Sequence, residues 1–168
     1  HAGRPGPRPR RRLGATSEAG SFAYVANLDR THRSAIYTAI LARIDRAEAR
    51  IDLVTPYFIP DGRLLRRLAR AVRRGVTVRL MVPGRSDRWF VDTVARSYYG
   101  RALKAGVQVF EYGPEMLHAK SVTVDGTWAT VGSCNLDYLS FFTNYEANLI
   151  SCDPAFVAGL DRAFAADL

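Results

Sequence analysis

A chain of 168 residues, 48% hydrophobic and 24% charged, is long enough for one domain with a real core and is not composed like a disordered or fibrous protein. No apolar run reaches the ~18 residues of a membrane-spanning helix. The basic start, HAGRPGPRPRRRLG, has no apolar stretch behind it, so neither a span nor a secretory signal is visible. The net charge of +8 points to anionic partners, either a lipid surface or nucleic acid.

From the start, Arg4, Arg8, Arg10, Arg11 and Arg12 alternate with Pro5, Pro7 and Pro9, so residues 1–20 are expected to form an extended or flexible tail or linker. Residues 21–168 are expected to form a single domain. The sequence does not begin with Met, which suggests a piece of a longer protein. Ser21 to Ala26 is a short candidate strand. Arg33 to Glu48 has helical spacing, with Ile36, Ile40, Ile44 and Ala47 on one face. Ile51 to Thr55 is a strand, followed by a rigid loop from Pro56 to Pro60. Asp61 is suited to cap a helix in which Leu64, Leu65, Leu68 and Val72 face inward. Arg63, Arg66, Arg67, Arg70, Arg73 and Arg74 cover the rest of it, and Gly75 ends it.

Val76 to Val82 is an apolar strand closed by Pro83-Gly84. Trp89 to Lys104 is helical, with a break expected at Tyr98-Tyr99-Gly100. Val107 to Tyr112 is a strand. Later come a strand from Asn144 to Ser151 and a closing helix from Pro154 to Leu168, with Phe156, Leu160 and Phe164 inward. Strands alternating with helices imply an α/β layered fold, and a tight hairpin among the late strands makes the sheet mixed. There is no clear internal repeat. Cys134 and Cys152 have neither disulfide-framework nor metal-ligand spacing, so reduced thiols in a cytosolic setting are expected.

The chemistry concentrates in His118 to Asn135, HAKSVTVDGTWATVGSCN. Ser121 to Val124 alternates polar and apolar with period two, which places His118 and Lys120 on the same face. Asp125-Gly126 is a hairpin turn signal. A return strand from Thr127 to Val131 then brings Gly132-Ser133-Cys134-Asn135 beside His118. A neutral imidazole attacks phosphorus and divides one displacement into two steps. Lys120 supplies positive charge for the phosphate, Asn135 supplies N–H donors and Ser133 a hydroxyl. Glu146, on the next strand, is a candidate to orient the His118 ring. Asp125, at the turn, reads as a structural residue holding the hairpin, with a direct proton-transfer role as the alternative. No His/Cys/Asp cluster has metal spacing, and metal-free catalysis without a cofactor is the consistent reading.

The string H-x-K-x4-D followed by G-S-x-N resembles the signature of the phospholipase D superfamily. Pro56-Tyr57-Phe58-Ile59-Pro60-Asp61, Arg74-Gly75-Val76, Met116-Leu117-His118-Ala119-Lys120 and Asn135-Leu136-Asp137 resemble its bacterial cardiolipin synthase branch. The resemblance runs from Arg33 to Leu168 and corresponds to the C-terminal of that family's two motif-bearing halves. It implies an α-β-α sandwich around a mixed sheet, a phosphohistidine on His118, and a Glu in the place of Glu146 assisting it. It also implies phosphatidyl transfer or phospholipase D-type hydrolysis of a phosphatidylglycerol-like glycerophospholipid, by a bacterial enzyme peripheral to the inner membrane surface.

Enzymes of this resemblance use two H-x-K motifs per site, one histidine attacking and the other protonating the leaving oxygen. This chain has one, and His1 and His32 lie in no similar context. The second motif must come from an identical chain about a two-fold axis or from a missing half. The rival readings are a homodimeric endonuclease, which the basic tail would serve, and a half that catalyses nothing without its partner. One departure stands out: where the resemblance has a basic residue after Asn135-Leu136-Asp137, position 139 is Leu.

Overall fold

The computed structural model describes residues 22–27, 35–84, 89–113 and 115–168, and the expected basic tail lies outside them. The apolar runs form strands, and the central ones are buried on both faces. These runs are β1 (Phe22–Asn27), β2 (Arg50–Val54), β4 (Thr77–Pro83), β5 (Gln108–Tyr112), β6 (Ser121–Val124), β7 (Trp128–Gly132) and β9 (Glu146–Ser151). They form one seven-stranded sheet in the order β1-β9-β7-β6-β2-β4-β5. Strands β2, β4 and β5 are parallel, and every pairing from β2 through β6, β7 and β9 to β1 is antiparallel. The mixed α/β sheet is therefore as the sequence implies.

Helices α1 (Ala35–Arg46), α2 (Gly62–Arg73) and α3 (Trp89–Lys104) contribute to one apolar core with the sheet. Ile36, Ile40, Ile44 and Ala47 are all buried, with Ala47 just past the end of α1. Asp61 caps α2 by accepting from the Leu64 N–H at 3.0 Å, a bond of about 1 kcal/mol. Leu64, Leu68 and Ala71 are buried, and Gly75, at φ 92°, ends the helix at the expected residue. Arg67 pairs with Asp45, and Arg74 donates to the Ile44 and Ala47 carbonyls, so part of the arginine face fastens α2 to α1.

Helix α3 runs through Tyr98-Tyr99-Gly100 without the expected break. Tyr99 is buried in the core, and that burial outweighs the ~1 kcal/mol propensity cost of Gly100.

Helix α5 (Pro154–Ala166) covers the opposite face. Asp153 caps it, accepting from Phe156 N–H at 2.8 Å. Val157 and Phe164 are its buried residues, whereas Phe156 and Leu160 are only half-buried; Phe156 instead meets Phe22 edge-on at 5.3 Å. Beneath α5, buried Asp52 takes a two-pronged contact from Arg79 at 2.6 and 2.7 Å. Asp161 accepts from Arg50 and from the Thr123 hydroxyl, at 2.8 and 2.7 Å. This polar layer registers α5 on the sheet.

Three short elements were not foreseen. Within the expected Pro56–Pro60 loop, β3 (Phe58–Ile59) pairs in parallel with β8 (Leu136–Asp137), and α4 (Tyr138–Phe142) follows directly. Fully buried Phe58, Leu136 and Phe141 hold this end of the molecule together.

Candidate active site

Strand β6 opposes β2, so the residues before Ser121 emerge at the carboxyl ends of parallel strands β2, β4 and β5, the usual place for a ligand in an open α/β sheet. His118 and Lys120 lie in the extended approach to β6 rather than inside the strand. Buried Leu117 anchors that approach against Val54, Met81 and Phe164. The anchor leaves His118 exposed and turns Lys120 inward to 8% exposure. The two side chains share a face, as the alternation demands. Lys120 Nζ lies 3.0 Å from His118 Nδ1 and 3.2 Å from Nε2, and donates to the His118 carbonyl at 2.7 Å.

Strand β7 returns to the same end. Gly132 N–H donates to the Lys120 carbonyl at 3.2 Å, joining the two motif segments directly. Position 132 accepts no side chain: a Cβ there would collide with the Ala147 carbonyl and with Asn148 Oδ1 and Cα. The close approach of β9 thus explains this glycine. Ser133 then locks onto β9 through three bonds. Its N–H donates to the Ala147 carbonyl at 3.0 Å, its Oγ accepts from the Ala147 N–H at 3.0 Å, and its hydroxyl donates to Glu146.

Of the six residues expected from sequence, the structure gathers His118, Lys120, Ser133, Asn135 and Glu146 at this end of the hairpin. Asn135 presents a buried carboxamide oxygen with no hydrogen-bond partner. Glu146 is not joined to the His118 ring: its carboxylate takes the Ser133 hydroxyl, while both ring nitrogens lie beside Lys120. Asp125 sits at the far end of the hairpin. There it accepts the Glu48, Ala49 and Arg50 N–H groups at 3.0, 2.8 and 2.8 Å. Both Asp125 and Gly126 have positive φ, 53° and 65°, as the central residues of a type I′ turn require, and the Thr127 N–H donates back to the Val124 carbonyl at 3.0 Å.

Three contributors escaped the sequence reading. Asn148 is buried; its Oδ1 accepts the Cys134 N–H at 3.2 Å and its Nδ2 donates to Thr130 Oγ1 at 3.0 Å, pinning the 132–135 loop from beneath. Period two along β9 put it on the face of Glu146, and that was the available signal. Thr55 Oγ1 accepts the Leu136 N–H at 3.3 Å. Asp137 caps α4 through Ser140 N–H at 2.7 Å.

The electrostatics follow from burial. Burial pushes the Lys120 ammonium below its usual range, against the opposing pull of Glu146 and Asp137. Burial raises the Asp137 carboxyl; bonds from Ser140 oppose the rise and the charge of Glu146 adds to it. Cys134 is buried, and its thiol is driven far up by desolvation and then by Glu146 and Asp137. Among the described residues, no three His, Cys, Asp or Glu side chains gather to hold a metal ion, and no helix is long and apolar enough to cross a membrane.

A family profile described as "Cardiolipin synthase, PLD-like domain" matches residues 40–168. Cardiolipin synthase B of Salmonella typhi is 44% identical over 125 residues, which are 74% of this chain and 30% of that protein. Cardiolipin synthase A of Pseudomonas aeruginosa (strain LESB58) is 41% identical over 124 residues, 74% of this chain and 25% of that protein. The chain thus spans less than a third of the length of these relatives. In fold it is similar to Nuc of Salmonella typhimurium, a phospholipase D family member, with a TM-score of 0.73 at 17% identity over 88% of this chain and 93% of the other. With the profile running from the middle of α1 through the last helix, and the motif residues clustered at one end of the sheet, the chain belongs to the cardiolipin synthase, phospholipase D-like domain family.

Proposed function

We propose that residues 21–168 supply one histidine-bearing half of a phosphodiester-transfer site, and that the complete protein transfers a phosphatidyl group in cardiolipin synthesis. The observation that carries this reading is the His118–Lys120 pair, 3.0 Å apart beside the Ser133–Glu146 bond. A ring nitrogen of His118 attacks the phosphorus of a phosphatidylglycerol-like donor. The bond from phosphorus to the leaving glycerol oxygen breaks, and that oxygen takes a proton from the histidine of a second motif. An acceptor alcohol then attacks the phosphohistidine, giving its proton to the same base and freeing His118.

Lys120 has two duties in this sequence. Before substrate enters, its ammonium engages the imidazole. As the phosphate arrives, it transfers those contacts to the phosphoryl oxygens and releases the nitrogen for attack. The unpaired Asn135 oxygen is an acceptor that an incoming hydroxyl group can satisfy. Ser133 already spends its proton on Glu146, so it serves the phosphate only after that bond rotates. Asp125, its carboxylate filled at the far turn, maintains the hairpin.

The second histidine is supplied by a half outside this chain, a reading supported by the 25–30% share of the relatives' length. Pairing of two identical chains about a two-fold axis is the second reading, since it would bring a second copy of the same motif to one site. The complete protein would work peripherally at the inner membrane surface.

The test gives the complete protein phosphatidylglycerol vesicles in chelator. Cardiolipin and glycerol should appear, His118→Ala should make neither, and a denaturing quench at mildly alkaline pH, where a P–N bond survives, should trap a phosphatidyl adduct on His118. Phosphatidate without cardiolipin would assign hydrolysis. Nicked plasmid DNA, lost in His118→Ala, would assign the nuclease. For this chain alone, turnover of a chromogenic phosphodiester that rises per chain with concentration would establish self-pairing.

A further inference from the structure

Helix α2 carries more arginine than its packing uses. Arg67 is taken by Asp45, and Arg74 by the end of α1. Arg63, Arg66, Arg70 and Arg73 remain on the exposed face, at spacings of three, four and three residues. Those spacings put all four on one stripe ~15 Å long. No described carboxylate pairs with Arg63, Arg66 or Arg73, and Arg70 reaches only the flank of Asp45 at 3.9 Å. Helix α2 itself contains no acidic residue. Like charges at these spacings weaken a helix, so the stripe costs stability unless something anionic covers it.

The start of the stripe adjoins the site. Asp61, the cap of α2, accepts the Tyr37 hydroxyl at 2.8 Å, and the charge of Arg63 is felt at that hydroxyl. The Tyr37 ring packs on Phe141 and Phe142 of α4 at 4.6 and 5.0 Å. Tyr138 and Leu139 open α4, immediately after Asp137, and each is 58% exposed. Leu139 holds the position where a basic residue was expected. One end of the surface therefore offers an aromatic and an aliphatic side chain, and the rest offers a line of arginines.

We propose that the Arg63–Arg66–Arg70–Arg73 stripe of α2, with Tyr138 and Leu139 at its head, docks this domain on an anionic lipid surface. The inference rests on the reading of a lipid phosphodiester as substrate and names the face by which the site is brought to it. A basic face beside an interfacial aromatic and a leucine is the chemistry of a peripheral membrane contact. Nucleic acid fits less well, because α2 is convex and carries no aromatic side chain on which a base can stack.

The test is sedimentation of the full chain, as His118→Ala so that nothing is turned over, with vesicles of phosphatidylcholine containing or lacking phosphatidylglycerol. Failure of the phosphohistidine reading leaves this measurement untouched, since it reads binding alone. Binding should need phosphatidylglycerol and weaken with salt. Arg63→Gln/Arg66→Gln/Arg73→Gln should lower affinity by about fivefold per charge, about a hundredfold together, with an unchanged circular dichroism spectrum. Tyr138→Ser/Leu139→Ser should lower it further with its salt dependence intact. Unaltered binding by the triple variant would overturn the proposal. So would duplex DNA holding the protein more tightly than the vesicles and losing it on the same substitutions, or Tyr138→Ser/Leu139→Ser dissociating a protein dimer while vesicle binding stays the same.

Discussion

The two ends of the β6–β7 hairpin use the same kinds of residue to opposite effect. At the turn, Asp125 accepts three backbone N–H groups and its own N–H donates to the Arg50 carbonyl at 2.9 Å. At the open end, burial opposes the natural charge of two groups and leaves one acceptor without a partner. Lys120 is pushed down by burial, Asp137 is pushed up by it, and the Asn135 oxygen has no partner. A saturated group adds stability and offers nothing to a ligand. An under-satisfied one costs stability that an arriving phosphate restores. Under the proposed function, saturation more than residue type separates the motif's aspartate at the turn from the residues assigned to the phosphate.

The sharpest way to test the contrast is to remove one group from each end. His118→Ala in the complete protein should lower kcat by about a thousandfold or more, the scale of losing a nucleophile or proton-transfer group. Its melting temperature should stay close to that of the parent, because an exposed ring leaves no core void. Loss of fold along with activity would mean that His118 is scaffold as well.

Between the two ends, Gly132 carries the join to β9. Gly132→Ala would press a methyl into the Ala147 carbonyl and Asn148, and should cost about 3 kcal/mol by urea denaturation. Activity should fall with it, because Ser133 and Asn135 ride on that join. A stable Gly132→Ala would show that β9 sits farther away.

Asp125→Ala tests the other end. Three backbone N–H groups lose a charged acceptor, so stability should drop by about 2 kcal/mol while kcat of the folded fraction holds. The pH dependence has a definite sign. Burial raises the Asp125 carboxyl, but the bonds from Arg50, Glu48 and Ala49 outweigh it and hold the carboxyl below the usual carboxylate range. A depressed folded value means the stabilisation is complete above the unfolded value, ~3.9, and is lost as pH falls through the folded one. Acid unfolding of Asp125→Ala should therefore lack that step. A fall in kcat with stability unchanged would give Asp125 the proton-transfer role instead.

The same difference explains what could be read from the sequence. Long periodic segments announced the sheet and its main helices, because their burial is a one-dimensional pattern. Asp61, Gly75 and the Asp125-Gly126 turn act through neighbours a few residues away, so their roles were visible too. The pairing of Phe58 with Leu136 was not, since a two-residue strand has no period and its partner lies across the chain. The unbroken α3 and the inward Val157 of α5 depend on which tertiary partner each side chain meets. At the site, spacing brought His118, Lys120 and the Ser133–Asn135 loop together. The Ser133–Glu146 bond and the Asn148 brace arise from register between β7 and β9, which composition does not encode.

A subtler probe changes one charge inside the open end. Glu146 and Asp137 pull the Lys120 ammonium up against the larger downward push of burial. Glu146→Gln removes one of those pulls, so Lys120 should lose its proton at lower pH than in the parent. The alkaline limb of kcat/KM against pH should move toward neutrality, in addition to any fall in the plateau. Stability carries the matching sign. With its folded value lowered, Lys120 destabilises the fold fully at neutral pH, and the penalty eases as pH rises through the folded value toward ~10.4. An alkaline limb that stays in place, or moves upward, would mean that another group sets it.

The smallest effect tests how tightly the 132–135 loop is closed. Cys134 is buried at the variable position of G-S-x-N, with its N–H on Asn148 and its thiol driven up by burial, whereas Cys152 is exposed. A thiol reagent should therefore titrate Cys152 in the folded chain, and Cys134 as well after denaturation. Asn148→Ala removes the brace under Cys134, and should expose that thiol to slow labelling under native conditions while Cys152 keeps its rate. If Cys134 reacted as fast as Cys152 in the parent, the loop would open freely on its own, and the order at this end would have to come from the second motif-bearing half.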